Sequence, residues 1–208
     1  QQNTIVIYAA DHGLALGSHG LLGKQSVYEH SMKCPLIIAG PGVPQERSSD
    51  AFTYLFDLFP TILRLAGADL PEGLRGTDLG PVWRGELSAV RDTVFLPFSD
   101  TMRAVRDERW KLIVYPQIDH QQLFDLKNDP DECRDLASQE PYREQIERLR
   151  QQLVTWQARL GDRQSLRASE PKSKEIRYDD FLRKPDTWQP KWIVKKYFDP
   201  EFSPEDTR

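Results

Sequence analysis

The sequence has little cysteine, no long apolar run and no excess of basic charge, and each shortage removes a class of protein. Its 208 residues include two cysteines, Cys34 and Cys133. Two are too few for a disulfide framework, and the surroundings Lys33-Cys34-Pro35 and Glu132-Cys133-Arg134 lack metal-ligand spacing, so the redox compartment stays open. No apolar stretch approaches the ~18–20 residues of a bilayer span, which excludes a membrane-spanning helix. Gln1 to Ala10 has no basic start before its apolar run and does not read as a secretory signal. With 28 basic and 32 acidic side chains the net charge is −4, and the pI is about 5.6. General nucleic-acid binding would need a basic excess to displace counterions, so it is not expected. Apolar residues make up 38% of the chain and the mean hydropathy is −0.62, slightly below a typical soluble domain even with glycine added.

What is present is unevenly spread. Residues 1–44 hold four charged side chains, Asp11, Lys24, Glu29 and Lys33, whereas residues 162–208 hold 21 among 47. A segment so poor in charge expects burial, so each of its charges is either neutralised by a partner or kept for chemistry.

Thr4 to Tyr8 is a run of β-branched and aromatic residues without alternation, and Pro35 to Ala39 is a second, closed by Gly40-Pro41-Gly42. Both read as strands buried on two faces in a parallel sheet. A glycine-punctuated loop, Gly13 to Gly23, separates them, followed by a helical turn near Ser26 to Glu29. Asp57 to Gly67 has proline in the first turn and glycine after the last apolar residue, the two stop signals of a helix. Thr93 to Phe98, Met102 to Arg106, Trp110 to Tyr115 and Gln122 to Asp125 read as a small antiparallel sheet. From about Glu140 to Leu160, Tyr142, Ile146, Leu149, Leu153, Trp156 and Leu160 form one helical stripe. A helix laid on the preceding sheet explains that stripe more simply than a coiled coil. The last segment, with Trp188, Trp192, Tyr197 and Phe198 in a charged background, is either disordered or an extended strap pinned to a larger body or a second subunit.

The expected class is therefore α/β: part of a mainly parallel sheet sandwiched by helices, then a small antiparallel sheet packed with one long helix. Residues 1–90 would belong to the core, 91–161 to the small subdomain and 162–208 to the tail.

Ligands in an open α/β sheet collect at the carboxyl ends of strands, where Asp11-His12-Gly13 falls after the first strand. A carboxylate beside an imidazole suits a divalent cation, Asp favouring a hard ion and His taken alone favouring zinc. The plainer reading is a buried Asp satisfied by backbone amides, with His12 capping the loop. Lys24 closes the glycine-rich loop, either as a solvated lysine or as an ammonium returning over the strand end to the same pocket. Such a pair of cations would suit the anionic group of a sulfate or phosphate ester. His19 either donates a proton there or braces the loop. Tyr28 and Glu29 are expected to anchor the loop's return, Glu29 by neutralising a cation such as Lys33.

Taken in order, Asn3 to Ile7, Asp11-His12-Gly13, Leu16-Gly17-Ser18-His19-Gly20, Gly23-Lys24, Tyr28-Glu29 and Pro35-Leu36-Ile37 resemble the C-terminal half of the sulfatase family, within the alkaline phosphatase superfamily. The likeness continues through Asp57 to Gly67, Arg103 to Tyr115, Gln122 to Leu126 and Asp129-Pro130-Asp131-Glu132, covering about residues 3–160. It implies that Asp11 and His12 ligate a divalent metal, usually Ca²⁺, and that Lys24 binds the sulfate and stabilises the leaving group. The substrate implied is a sulfate ester, as a small molecule or a sulfated sugar. The family's nucleophile is a formylglycine made from a C/S-x-P-x-R motif, which these 208 residues do not contain. The early Asp-Asp pair that completes the metal site is also absent.

Two protein ligands leave a cation that prefers about six to eight oxygens mostly hydrated. The resemblance thus implies the C-terminal portion of a sulfatase, a fragment inactive alone. The alternatives are a phosphonate or phosphate ester hydrolase of the same superfamily, or a non-catalytic remnant or docking protein. The tail is the expected place for any oligomer contact. The compartment is open, since the family includes exported and cytoplasmic members.

Overall fold

A computed structural model of the chain describes residues 3–175 and 188–199. The chain divides into two units, Gln1–Lys172 and Ser173–Arg208. The first unit holds six strands, β1 (Val6–Ala9), β2 (Leu36–Ala39), β3 (Val94–Phe98), β4 (Met102–Arg106), β5 (Trp110–Tyr115) and β6 (His120–Asp125), and four helices, α1 (Glu29–Met32), α2 (Leu58–Leu65), α3 (Gly80–Trp83) and α4 (Arg143–Leu160). The mixed α/β class, the small antiparallel sheet and the long helix are as expected.

The centre of the unit is the meander β3-β4-β5-β6, antiparallel throughout. Alternation along its strands makes two apolar faces. Val105, Leu112, Val114 and Leu123 meet Ile146, Leu149 and Leu153 of α4. Ala104, Ile113 and Phe124 meet Val27, Tyr28 and Met32 on the other side. The sheet is thus covered by the long helix on one face and by the turn after the glycine-rich loop on the other. Helix α4 ends where Gly161 turns left-handed, φ 70°, a conformation in which a side chain would be strained.

The chain does not leave this body at residue 161. Arg103 Nε donates to Asp162 at 2.7 Å, Leu166 packs against the α4 core, and the Ala168 and Lys172 amides donate to Pro116 and Gln117 carbonyls at 3.0 and 2.7 Å. Residues 162–172 are therefore held, where the charged composition suggested the tail had already begun. In the second unit, Lys191–Phe198 forms helix α5. That stretch is helical rather than disordered or an extended strap, the two readings its composition offered; Lys-Trp-Ile-Val-Lys-Lys-Tyr-Phe has no proline to break a helix once Pro190 has served as its N-cap. Residues 176–187 and 200–208 of the predicted tail lie outside the described residues. Among the described residues no helix is long and apolar enough to cross a membrane.

Two findings correct the reading of the first strands. β1 and β2 pair with each other and antiparallel, Val6 opposite Ala39 and Ala9 opposite Leu36. Uniform apolarity reports an expectation of burial and carries no information on strand direction, which is why the parallel reading failed for this pair. Nor are the strands covered here, since Val6, Tyr8 and Ile37 are exposed, as are Phe56, Phe59 and Ile62 on and beside α2.

Helix α2 is anchored from its start. Asp57 is fully buried and accepts from Tyr54 N, Thr77 N and both terminal nitrogens of Arg91, at 2.6–2.8 Å. Four donors satisfy a charge that would otherwise be too costly to bury.

Candidate functional site

Strand β1 ends at Ala9, and the next charged residue is Asp11. Thirteen positions on, the loop brings Lys24 back so that its Nζ lies 2.5 Å from Asp11 Oδ2. Lys24 is therefore not an isolated solvated lysine. The ammonium beside Asp11 holds its carboxyl below the usual carboxylate value. The two side chains are 75% and 42% exposed, and an ion pair so open to water adds little to stability. Asp11 is thus not the buried, amide-satisfied carboxylate of the plainer reading. Its Oδ1 accepts the His12 amide at 2.9 Å, and carboxylate lone pairs remain open to solvent.

His12 Nδ1 lies 3.0 Å from the Ser31 carbonyl. A carbonyl only accepts, so Nδ1 carries the proton and the Nε2 lone pair is left for a ligand. The Gly13 amide donates to the same carbonyl at 3.0 Å. A Cβ at Gly13 would sit 1.9 Å from the His30 carbonyl oxygen, so only glycine lets the Asp11-His12-Gly13 turn lie this close to α1. Asp11 and His12 supply a hard oxygen and an imidazole nitrogen on adjacent residues, a donor pair that fits part of a divalent cation's shell. Among the described residues no group of three His, Cys, Asp or Glu side chains is gathered closely enough to hold a metal, so the remaining ligands would come from water or from outside these residues.

His19 lies at the loop's outer bend, with a left-handed backbone, φ 54°. Its Nε2 donates to the Asp131 carbonyl at 3.0 Å, and its ring stacks on Tyr28 at 4.0 Å and 5°. His30 lies 5.4 Å from the same ring. Burial, together with the nearby His19 ring and Lys111 ammonium, holds the His30 imidazole below its ordinary value. The contacts of His19 are those of a brace between the glycine-rich loop and the turn after β6. Tyr28 donates to Gln122 of β6 at 2.8 Å, which anchors the loop's return as expected.

Glu29 anchors it too, with partners other than Lys33. Its carboxylate lies 3.1 Å from Lys111 Nζ and 3.2 Å from an Arg106 terminal nitrogen. Lys111 Nζ lies 2.8 Å from Glu132 as well. Lys111, the second residue of β5, is fully buried. Burial pushes the Glu132 carboxyl up, against the pull of the Lys111 ammonium. Sequence reading passed over Lys111, Glu132 and Arg106. One signal was available: in Trp-Lys-Leu-Ile-Val-Tyr, β alternation sends Lys111 to the same buried face as Ile113.

The family described as "N-sulphoglucosamine sulphohydrolase, C-terminal" matches residues 17–159. Arylsulfatase K of Canis lupus familiaris is 35% identical over 154 residues, 67% of this chain and 29% of that protein. An N-acetylglucosamine-6-O-sulfatase of Bacteroides thetaiotaomicron is 30% identical over 173 residues, 77% of this chain and 31% of that protein. Among solved structures, a phosphonate monoester hydrolase from Silicibacter pomeroyi superposes with a TM-score of 0.69 at 27% identity, covering 76% of this chain and 35% of that one. The chain spans about a third of the length of the curated relatives it matches. With most of its length matched, the chain belongs to the sulfatase family, as its C-terminal region.

Proposed function

We propose that this chain carries the anion-binding lysine and part of the metal site of a sulfatase that hydrolyses sulfate esters, sulfated sugars among them. The observation that carries the reading is the contact between Lys24 Nζ and Asp11 across the glycine-rich loop, at 2.5 Å. A solvent-open ammonium beside an open carboxylate at a strand end contributes little to folding and is available to a ligand. In this reading Lys24 binds a sulfate oxygen and stabilises the charge that grows on the leaving oxygen as the S–O bond breaks. Asp11 Oδ and His12 Nε2 hold a divalent cation, Ca²⁺ by the family's habit. When bound, that ion supplies positive charge to the sulfate oxygens. His19 braces the loop that carries Lys24.

The sulfated-sugar class is supported by the sulphoglucosamine description of the matching family and by the N-acetylglucosamine-6-O-sulfatase relative. The nucleophile, formylglycine by family resemblance, lies outside these 208 residues, which lack the C/S-x-P-x-R motif. The test has two arms. The purified chain with added calcium is expected to leave an aryl sulfate unhydrolysed. A longer protein containing it is expected to lose on the order of 10²-fold or more in kcat on Lys24→Ala. Turnover by the chain alone, or an unchanged kcat in the Lys24 variant, would contradict the assignment.

A second reading, phosphonate or phosphate ester hydrolysis, is favoured by the likeness to the phosphonate monoester hydrolase. Comparing kcat/KM for a sulfate monoester and a phosphonate monoester on the longer protein decides between them. A preference for the phosphonate would overturn the sulfatase reading.

A further inference from the structure

The four charges between the small sheet and α1 have no place in the chemistry just described, yet two of them are buried and two partly buried. Lys111 is fully buried and Glu132 is 2% exposed. Two cations, Lys111 and Arg106, face two carboxylates, Glu29 and Glu132, at 2.8–3.2 Å. Charges taken out of water repay their desolvation only when the geometry is good and the remaining bonds are made, and a well-packed apolar set would serve stability at least as well. The contacts beyond the ion pairs show what this set holds in place.

Glu29 is the first residue of α1 and is gripped twice. Its carboxylate pairs with Lys111 and Arg106, and its amide donates to the Glu132 carboxylate at 2.5 Å. Glu132 presents that oxygen from a left-handed backbone, φ 55°, an uncommon conformation for a residue with a side chain. Helix α1 is four residues long, too short to persist by itself in water. Its third residue, Ser31, offers the carbonyl that accepts both His12 Nδ1–H and the Gly13 amide. A continuous set of bonds thus runs from β5 through Glu29 and α1 to the two residues that follow Asp11.

We propose that Lys111, Glu29 and Glu132 form a positioning clamp that fixes α1, and through the Ser31 carbonyl sets the His12 ring and the Asp11-His12-Gly13 turn. Lys111, Glu29 and Glu132 are positioning residues, acting on a proposed ligand through another group. The inference deepens the functional reading above and, for its functional consequence, rests on it.

The test is amide hydrogen exchange, read by NMR on the 208-residue chain and its Glu29→Gln and Lys111→Met variants, alongside calorimetric calcium titration. Glu29→Gln keeps the shape and removes one charge. The expected result is a loss of protection of about tenfold or more at Gly13 and Lys33, whose amides donate to Ser31 and Glu29 carbonyls, with β5–β6 ladder amides unchanged. Calcium affinity should fall by a similar factor although neither Asp11 nor His12 is altered. A uniform loss of protection across the sheet, or none at Gly13, would overturn the clamp. Should Lys111→Met fail to fold, Glu29→Gln alone decides. If the unaltered chain binds no calcium, the metal reading of the preceding section fails, and the exchange pattern still decides the clamp.

Discussion

Asp162 is a residue whose ionisation the fold controls. Two donors of Arg103 and the Gln157 amide reach its carboxylate, at 2.7–3.1 Å, and the Arg103 guanidinium first among them holds its carboxyl down at about 2, against 3.8 for an ordinary aspartate. A carboxyl with a lowered folded value stabilises the protein above its unfolded value, and that contribution disappears as the pH falls from 3.8 towards 2. The size is roughly 2 kcal/mol. The expected outcome for Asp162→Asn, measured by urea denaturation at a series of pH values, is lower stability at neutral pH and a flatter fall between about pH 4 and 2. At this scale the sequence was readable where partners sit close along the chain, as with the return of Lys24 to Asp11, 2.5 Å away. It was unreadable for Glu29, whose partner Lys111 lies 82 positions away, a separation that only the assembled sheet can close. Lys33 was the nearer cation and the wrong one.

Helix α4 and the sheet beneath it were the most legible elements. A stripe at helical spacing, or alternation along a strand, encodes burial on one face, and that information is local. The four strands and α4 fall within a few residues of their expected bounds. Direction of pairing is not local, so the antiparallel match of β1 with β2 escaped, as did the single turn α3, which is too short for any period to show. Because Leu149 is fully buried against Leu112 and Leu123 in the α4 core, Leu149→Ala is expected to cost about 2–5 kcal/mol. Val154, on the exposed side of the same helix, is expected to change stability by no more than about 0.5 kcal/mol on truncation to alanine. Denaturant midpoints of the two variants check the contrast. Equal losses would place the core elsewhere.

For the whole molecule, exposed apolar surface separates the two regions of the first unit. The small sheet is sealed by α4 and by the turn after the glycine-rich loop. β1, β2 and α2 instead present Val6, Tyr8, Ile37, Phe59 and Ile62 to solvent. Strands so apolar and so open are what a larger α/β core would cover, in keeping with a chain that spans about a third of its relatives. The candidate site sits at the seam between these regions, with Asp11 after β1 and its supporting turn on the small sheet. The central claim is that Asp11 and His12 form one face of a divalent-cation site beside Lys24. The measurement that tests it most directly is a calcium titration of the 208-residue chain, following the His12 imidazole nitrogens by NMR. The account expects a saturable shift at His12 Nε2 in about the millimolar range, abolished by Asp11→Ala. The absence of a saturable shift, or one that persists unchanged in Asp11→Ala, would contradict it.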